Sequence, residues 1–268
     1  MGLQHAPVCM DDEIFSLKVV VVSDVAAERE FLRLAARAAP VPVELIEIDV
    51  PGDEGVTRRF LASGSYDAVF LDSRISRSVR QNMLDAARAS PGRPLAILIG
   101  AAAIRTREVL TDGFDVDGTL AKPIEMQELV SLIRCCVQAR LHKRVLIVDD
   151  SSTVRAVVRK VLQASRFRLD AAEAGEGETA LALARQRPFD IVFLDCLLPG
   201  IDGFETLAEF RRHAPATQVV MFTGMPDARI EDRARAEGAT DFLYKPFFAK
   251  DVDVVLNRLF GLMQPRWN

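Results

Sequence analysis

Five polar residues in the second half of the chain stand at the ends of short apolar runs: Asp149, Asp150, Asp195, Thr223 and Lys245. Carboxylates that lie close together repel one another and favour a hard divalent cation such as Mg²⁺, whose preferred ligands are oxygen atoms. A lysine adds positive charge and a threonine adds a hydroxyl, and both suit a dianionic phosphoryl group. If the fold brings these residues together, they predict a site for Mg²⁺ and for a phosphoryl group carried on an aspartate.

The elements that must position these residues are apolar runs of strand length that alternate with segments of helical periodicity, a pattern typical of βαβ units and a parallel sheet. The predicted strands are 144–148, 168–172, 190–194, 218–222 and 240–244. The predicted helices are 152–164, with Ser151 as N-cap, 177–186, 203–212, 227–237 and 250–262. Because the carboxyl ends of parallel strands meet at one edge of a doubly wound sheet, we expect the polar residues to lie close together there.

The chain contains an internal repeat. An apolar segment that ends at Asp72 matches one that ends at Asp195, and Lys122 matches Lys245, both at a spacing of 123 residues. A further apolar run, before residue 24, matches the run before residue 150 at a spacing of 126. The repeat predicts two α/β domains, each a doubly wound (βα)5 unit with a five-stranded parallel sheet. The predicted boundaries are a tail at 1–16, a first domain at 17–141 and a second domain at 142–268.

The composition indicates packed cores and gives no bulk attraction for nucleic acid. The 268 residues are 49% hydrophobic, and the net charge is −4 with an isoelectric point near 5.6. The apolar runs are much shorter than the roughly 20 residues of a membrane-spanning helix, and the N-terminus lacks a secretory pattern. We therefore expect a cytoplasmic protein with neither a membrane nor a nucleic acid as partner. The four cysteines are expected to be reduced and structural.

Residues 143–262 resemble the receiver domain of two-component response regulators. The resemblance rests on the motifs at 146–150, 193–195, 198–203, 223–224 and 245–247. It implies a flavodoxin-like fold, and it implies that Asp195 accepts a phosphoryl group from a phosphohistidine on a sensor histidine kinase or a histidine phosphotransfer protein. It also implies that Asp150, Asp195 and the backbone carbonyl of Leu197 bind Mg²⁺, while Asp149 holds a metal-bound water.

The same resemblance implies a switch. Lys245 would pair with the acyl phosphate, Thr223 would turn its hydroxyl towards a phosphate oxygen, and Phe242 would move inward behind it. This rearrangement would reshape the face formed by residues 227–262, which is the usual surface for homodimers or targets. We also expect a long-lived phosphoaspartate, because the apolar side chains of Leu197 and Met225 flank the phosphoryl position and would hinder an attacking water.

The first half resembles a degenerate receiver. It keeps Asp24, Asp72 and Lys122, but it has Ser23 in place of Asp149, Ile99 in place of Thr223 and Thr119 in place of Phe242. With one carboxylate and one hydroxyl fewer, metal binding and switching are expected to be impaired. Our hypothesis is that the guanidinium of Arg74 lies where Mg²⁺ would otherwise bind; the alternative is that Arg74 is a solvated loop charge.

Three classes of function remain open from the sequence. The leading one is a dual-receiver response regulator without enzymatic activity. We expect no catalytic or DNA-binding segment after the second half, so its output is expected to pass through protein contacts. The tandem arrangement, with the helix at 125–141 running almost directly into the next strand, resembles the input half of two-receiver diguanylate cyclases and favours a fixed relationship between the copies. The second class is a scaffold that is not phosphorylated. The third is an aspartyl-nucleophile phosphatase similar to haloacid dehalogenases, which usually carry an aspartate where this chain has Leu197.

Overall fold

The computed structural model describes residues 16–49, 53–101, 116–225 and 227–267. The chain divides into two compact units between Val137 and Gln138. This division falls within the helix Met126–Arg140. The predicted boundary, at residue 141, lies just after the end of that helix. The predicted tail lies outside the described residues except for Ser16. None of the helices in the described ranges has the length and apolar character that a membrane span requires.

The first unit contains a sheet of five parallel strands in the order β2-β1-β3-β4-β5. The strands are β1 Leu17–Val22, β2 Val43–Ile48, β3 Ala68–Asp72, β4 Leu95–Ala101 and β5 Gly118–Lys122. The helices among its described residues are α1 Ala26–Arg37, α2 Glu54–Ser63, α3 Arg77–Ala89 and α4 Met126–Arg140.

The second unit repeats this architecture, with parallel strands in the order β10-β9-β8-β6-β7. The strands are β6 Lys143–Val148, β7 Leu169–Ala174, β8 Ile191–Asp195, β9 Gln218–Thr223 and β10 Asp241–Tyr244. The helices are α5 Ser152–Ala164, α6 Gly177–Gln186, α7 Gly203–His213, α8 Ala228–Ala236 and α9 Ala249–Leu259. Both sheets have the doubly wound order of a flavodoxin-like fold, which confirms the predicted fold class.

The central strands β3 and β8 are buried at every position. Strands covered on both faces read as continuous apolar runs, and this is why the sequence pattern located them. Local signals set the helix ends. The Ser151 hydroxyl accepts the backbone N–H of Val154 at 3.3 Å, so Ser151 is the N-cap of α5 as predicted.

Helix α9 ends three residues before the predicted end at Leu262. Gly261 has a φ of +75°, a left-handed conformation that glycine adopts without steric cost. Its N–H donates to the Arg258 carbonyl at 3.0 Å, and the Leu262 N–H donates to the Asn257 carbonyl at 2.8 Å. These two bonds form a Schellman motif that stops the helix and turns the following chain back.

Candidate functional site

The carboxyl ends of β6, β8, β9 and β10 bring the polar residues of the second unit to one edge of its sheet. One carboxylate oxygen from each of Asp149, Asp150 and Asp195 lies within 4.8 Å of the others. Lys245 Nζ donates to Asp149 Oδ2 at 2.7 Å and to Asp195 Oδ2 at 2.6 Å. Asp149 and Asp195 are buried, whereas Asp150 is exposed. The cluster therefore opens to solvent on the side of Asp150.

Burial and pairing act in opposite directions on the charged groups of this cluster. Burial raises the pKa of Asp195, and the ammonium of Lys245 and the backbone N–H of Leu197 offset only part of that shift. Burial lowers the pKa of Lys245, but its hydrogen bonds to the two carboxylates outweigh burial, so its pKa is raised overall. The lysine is thus held as a cation against the carboxylates of Asp149 and Asp195.

The remaining predicted residues lie on or just after strands β8, β9 and β10. Thr223 is fully buried, and its hydroxyl accepts the backbone N–H of Met225 at 3.2 Å. The backbone N–H of Leu197 donates to Asp195 Oδ1 at 3.1 Å. Phe242 is fully buried, with its ring centroid 5.1 Å from that of Tyr244. Phe242 is therefore part of the core of the second unit.

The donor set fits a hard divalent cation. It consists of oxygen atoms from three carboxylates, two of them buried, and hard cations such as Mg²⁺ prefer such ligands.

Gly203, the first residue of α7, lets the start of this helix pack directly against the backbone of Asp195 and Cys196. A Cβ at this position would lie 2.0 Å from the Asp195 carbonyl oxygen and 2.8 Å from the Cys196 Cα, so glycine is required there.

Comparison with known proteins decides the family. The model of the response regulator receiver domain matches residues 145–257. Protein CcdB of Bacillus subtilis is 34% identical over 118 residues, which cover 44% of this chain and 98% of that protein. Chemotaxis protein CheY of Listeria monocytogenes is 35% identical over 109 residues, covering 41% of this chain and 91% of that protein. The chain belongs to the response regulator receiver family.

The likeness in fold extends over both receiver units. A solved structure described as a two-component system response regulator/GGDEF domain protein aligns over 91% of this chain and 98% of that chain, with a TM-score of 0.53 and 21% identity. This identity supports the fold alone. Receiver domains interact in general with histidine kinases or phosphotransfer proteins, which places this chain in two-component signalling.

The first receiver unit places Arg74 between its two retained carboxylates. Arg74 Nη2 lies 2.6 Å from Asp24 Oδ1 and 3.1 Å from Asp72 Oδ2. The Asp72 carboxylate is buried and also accepts Lys122 Nζ at 2.9 Å. Burial raises the pKa of Asp72, but hydrogen bonds from the Arg74 backbone and from Lys122 outweigh it, so the pKa is lowered overall. The Arg74 side chain is 55% exposed, and yet its guanidinium is bonded to both carboxylates.

Sequence reasoning missed Glu28 in α1. Its Oε1 lies 2.6 Å from Lys122 Nζ, and its Oε2 accepts the Ser23 hydroxyl at 2.8 Å. The side chain is buried and supplies the carboxylate that Ser23 does not. The sequence contained a signal for Glu28, because the repeat spacing of 126 aligns this acidic residue with an apolar residue, Val154, in the second copy.

Strand register corrects one predicted equivalence. Asp72 lies opposite Ile99, whereas Asp195 lies opposite Phe222. The residue at the position of Thr223 is therefore Gly100 and not Ile99. The prediction was wrong by one residue because it did not keep the spacing of 123 through β4. Glycine has no hydroxyl either, so the first unit still lacks the donor that Thr223 provides.

Proposed function

We propose that the chain is a response regulator of a two-component phosphorelay in which Asp195 is the phosphoryl acceptor. The observation that carries this proposal is the bond of 2.6 Å between Lys245 Nζ and Asp195 Oδ2, beside the carboxylates of Asp149 and Asp150. A cation already aimed at the acceptor carboxylate stabilises the charge of an incoming phosphoryl group without reorganisation. Thr223, at the end of the neighbouring strand β9, adds a hydroxyl at the same edge.

The reacting groups of the transfer are the acceptor carboxylate and a phosphohistidine on the donor. An oxygen of the Asp195 carboxylate attacks phosphorus, a P–O bond forms as the P–N bond breaks, and the imidazole nitrogen leaves with the electron pair. Lys245 stays paired with the resulting acyl phosphate. Mg²⁺, when bound, would neutralise phosphoryl charge. Asp150, Asp195 and the Leu197 carbonyl would hold it directly, and Asp149 would hold it through water.

Exposed apolar side chains at the same edge support a protein as the phosphodonor. Leu197 is 56% exposed, Met225 is 44% exposed and Phe248 is 69% exposed, and each follows a site residue by two or three positions. Large exposed apolar side chains that are grouped in this way mark interaction sites. A sensor histidine kinase or a histidine phosphotransfer protein would dock here. Output would then pass through the face of residues 227–262, to a second copy or to a target.

The first receiver unit is proposed to remain unphosphorylated. Arg74, Lys122 and Glu28 satisfy the carboxylate of Asp72 and its surroundings internally. A cation at the metal position would have to displace a guanidinium bonded to both Asp24 and Asp72. The unit would act in docking, dimerisation or restraint of its partner unit. Mg²⁺ bound beside Asp72 in a structure of the Mg²⁺ complex would refute the role of Arg74.

The test is phosphate incorporation from a small acyl phosphate and Mg²⁺, followed by intact-protein mass. Wild type should gain one phosphoryl group, Asp195→Asn none, and Asp72→Asn the same as wild type. Label that survives Asp195→Asn but disappears in Asp72→Asn would make the first unit the acceptor. Absence of label in wild type would favour the scaffold function.

The lifetime of the label separates a switch from a phosphatase. With apolar Leu197 and Met225 flanking the phosphoryl position, we propose that no side chain there activates water, so the chain has no hydrolase activity of its own. The label should persist well beyond seconds, and Leu197→Asp should shorten its lifetime. Decay within seconds in wild type, or steady turnover of an aryl phosphate, would contradict this.

A further inference from the structure

The chain after α9 folds back onto the second unit. The bidentate guanidinium of Arg266 lies against Glu231 of α8, with Nε 2.7 Å from Oε1 and Nη2 3.2 Å from Oε2. Trp267 Nε1 donates to Glu231 Oε1 at 3.3 Å, and the Tyr244 hydroxyl donates to Glu231 Oε2 at 2.9 Å. One carboxylate therefore ties α8, β10 and the segment after α9 together.

Packing reinforces this contact. Trp267 is half-buried and packs against the core cluster that contains Phe242. A fork-on-fork arginine–carboxylate pair is stronger and more directional than a single ion pair, and a carboxylate with four hydrogen bonds has its lone pairs satisfied. Arg266 and Trp267 thus hold the segment 263–267 against Glu231. We call this set of contacts, together with the hydrogen bond from Tyr244, the Glu231 latch.

The latch is joined to the proposed switch through Tyr244. This residue directly precedes Lys245, lies opposite Thr223 in the β9–β10 pair, and stacks edge-on against Phe242. The Lys245 backbone N–H donates to the Thr223 carbonyl at 2.8 Å. A shift of Thr223 or Lys245 therefore moves the backbone that carries the Tyr244 hydroxyl.

We propose that Glu231 and Tyr244 form a docking site for an arginine–aromatic segment, and that residues 263–267 of the chain itself fill this site in the unphosphorylated state. The proposal rests on the proposed function, because the site lies within the output face of residues 227–262. A second copy or target that uses this face has to displace the segment first. Phosphorylation of Asp195 releases it through Tyr244.

The first test uses unphosphorylated protein and does not depend on Asp195. Trp267 is the sole tryptophan of the chain, so its fluorescence reports the latch directly. Glu231→Gln and Arg266→Ala should shift the emission to the red and raise the acrylamide quenching constant about twofold, because each removes the bidentate pair. The matched control is Glu237→Gln. This change breaks the ion pair between Glu237 Oε1 and Arg233 Nε, which lie 2.7 Å apart, and leaves Glu231 and Arg266 unchanged.

The control should match wild type. Emission and quenching unchanged in both Glu231→Gln and Arg266→Ala would overturn the latch. Because Arg266 lies outside the helices and strands, Arg266→Ala tests the contact without disturbing the fold.

The second test adds a small acyl phosphate and Mg²⁺ and follows tryptophan emission and protein mass together. The emission should shift in parallel with phosphate incorporation in wild type and stay constant in Asp195→Asn. Incorporation without any change in emission would overturn release by phosphorylation and leave the phosphoacceptor assignment intact. Failure of incorporation would overturn the proposed function, while the variants of the first test would still report the docking contact.

Discussion

Replacing Lys245 with methionine removes the cation between two buried carboxylates and keeps most of the side-chain volume. Lys245 Nζ lies 2.7 Å from Asp149 Oδ2 and 2.6 Å from Asp195 Oδ2, and both carboxylates are almost inaccessible to solvent. Breaking a buried ion pair by removing one partner costs about 3–5 kcal/mol, because the remaining charge is left unpaired in a poor solvent. The partial exposure of the lysine favours the lower end, about 3 kcal/mol.

For a unit of this size, such a loss lowers the melting temperature by roughly 10 °C. Urea unfolding followed by Trp267 fluorescence measures the loss in free energy of unfolding of the second unit, which contains the only tryptophan of the chain. Mg²⁺ should restore part of the loss, since a ligand at a hundred times its dissociation constant stabilises the folded state by about 2.7 kcal/mol. This rescue should be larger in Lys245→Met than in wild type.

The first unit offers a matched control in Lys122→Met. Asp72 keeps its hydrogen bonds from Arg74 Nε and Nη2, at 3.2 and 3.1 Å, when Lys122 is lost. Glu28, however, loses the ammonium that lies 2.6 Å away and keeps the hydrogen bond from the Ser23 hydroxyl. Unfolding followed by circular dichroism should therefore show a loss similar to that in Lys245→Met, but Mg²⁺ should not restore it. Rescue by Mg²⁺ that is as large in Lys122→Met as in Lys245→Met, or no loss in Lys245→Met, would refute the account in which lysine offsets the charge of the carboxylate cluster.

Three further predictions concern the surroundings of the site. Gly203→Ala should destabilise the second unit by about 1–3 kcal/mol through a backbone clash, whereas Gly224→Ala, with nothing within 4 Å of its added Cβ, should not; thermal melts compare them. Burial raises the pKa of Cys196 to about 12, so iodoacetamide at pH 8 should label it in urea but not in the native protein, and equal labelling rates would contradict this. Burial also raises the pKa of Asp241, so the contribution of this carboxyl to stability is present at low pH and lost as pH rises. Arg258→Met should raise the pKa of Asp241 further and therefore cost more stability at pH 7.5 than at pH 4.5, as measured by urea unfolding. A cost that is the same at both pH values would contradict this prediction.

The sequence was sufficient for the fold and for the residues of the second site. Continuous apolar runs located the buried parallel strands, and the doubly wound topology then required their carboxyl ends, with Asp149, Asp195 and Lys245, to meet at one edge. Cap residues are local signals, and for that reason Ser151 was found from its type and position. Strand register is not local, and the equivalence of Ile99 with Thr223 was wrong for that reason.

Tertiary structure alone decided which charges pair. The carboxylate of Glu28 reaches Lys122 across the sheet edge, and the fork of Arg266 reaches Glu231 from 35 residues away in sequence. Such contacts depend on where long side chains point after packing, a choice of rotamers that no periodicity encodes. The sequence by itself determined the sheet and the chemistry at its edge, because burial imposes a pattern on every strand. Only the packed structure showed that Arg74 and Lys122 pair with the carboxylates of the first site and that Arg266 and Trp267 bind Glu231 in the second unit, because electrostatic pairing is settled by distances of a few ångströms.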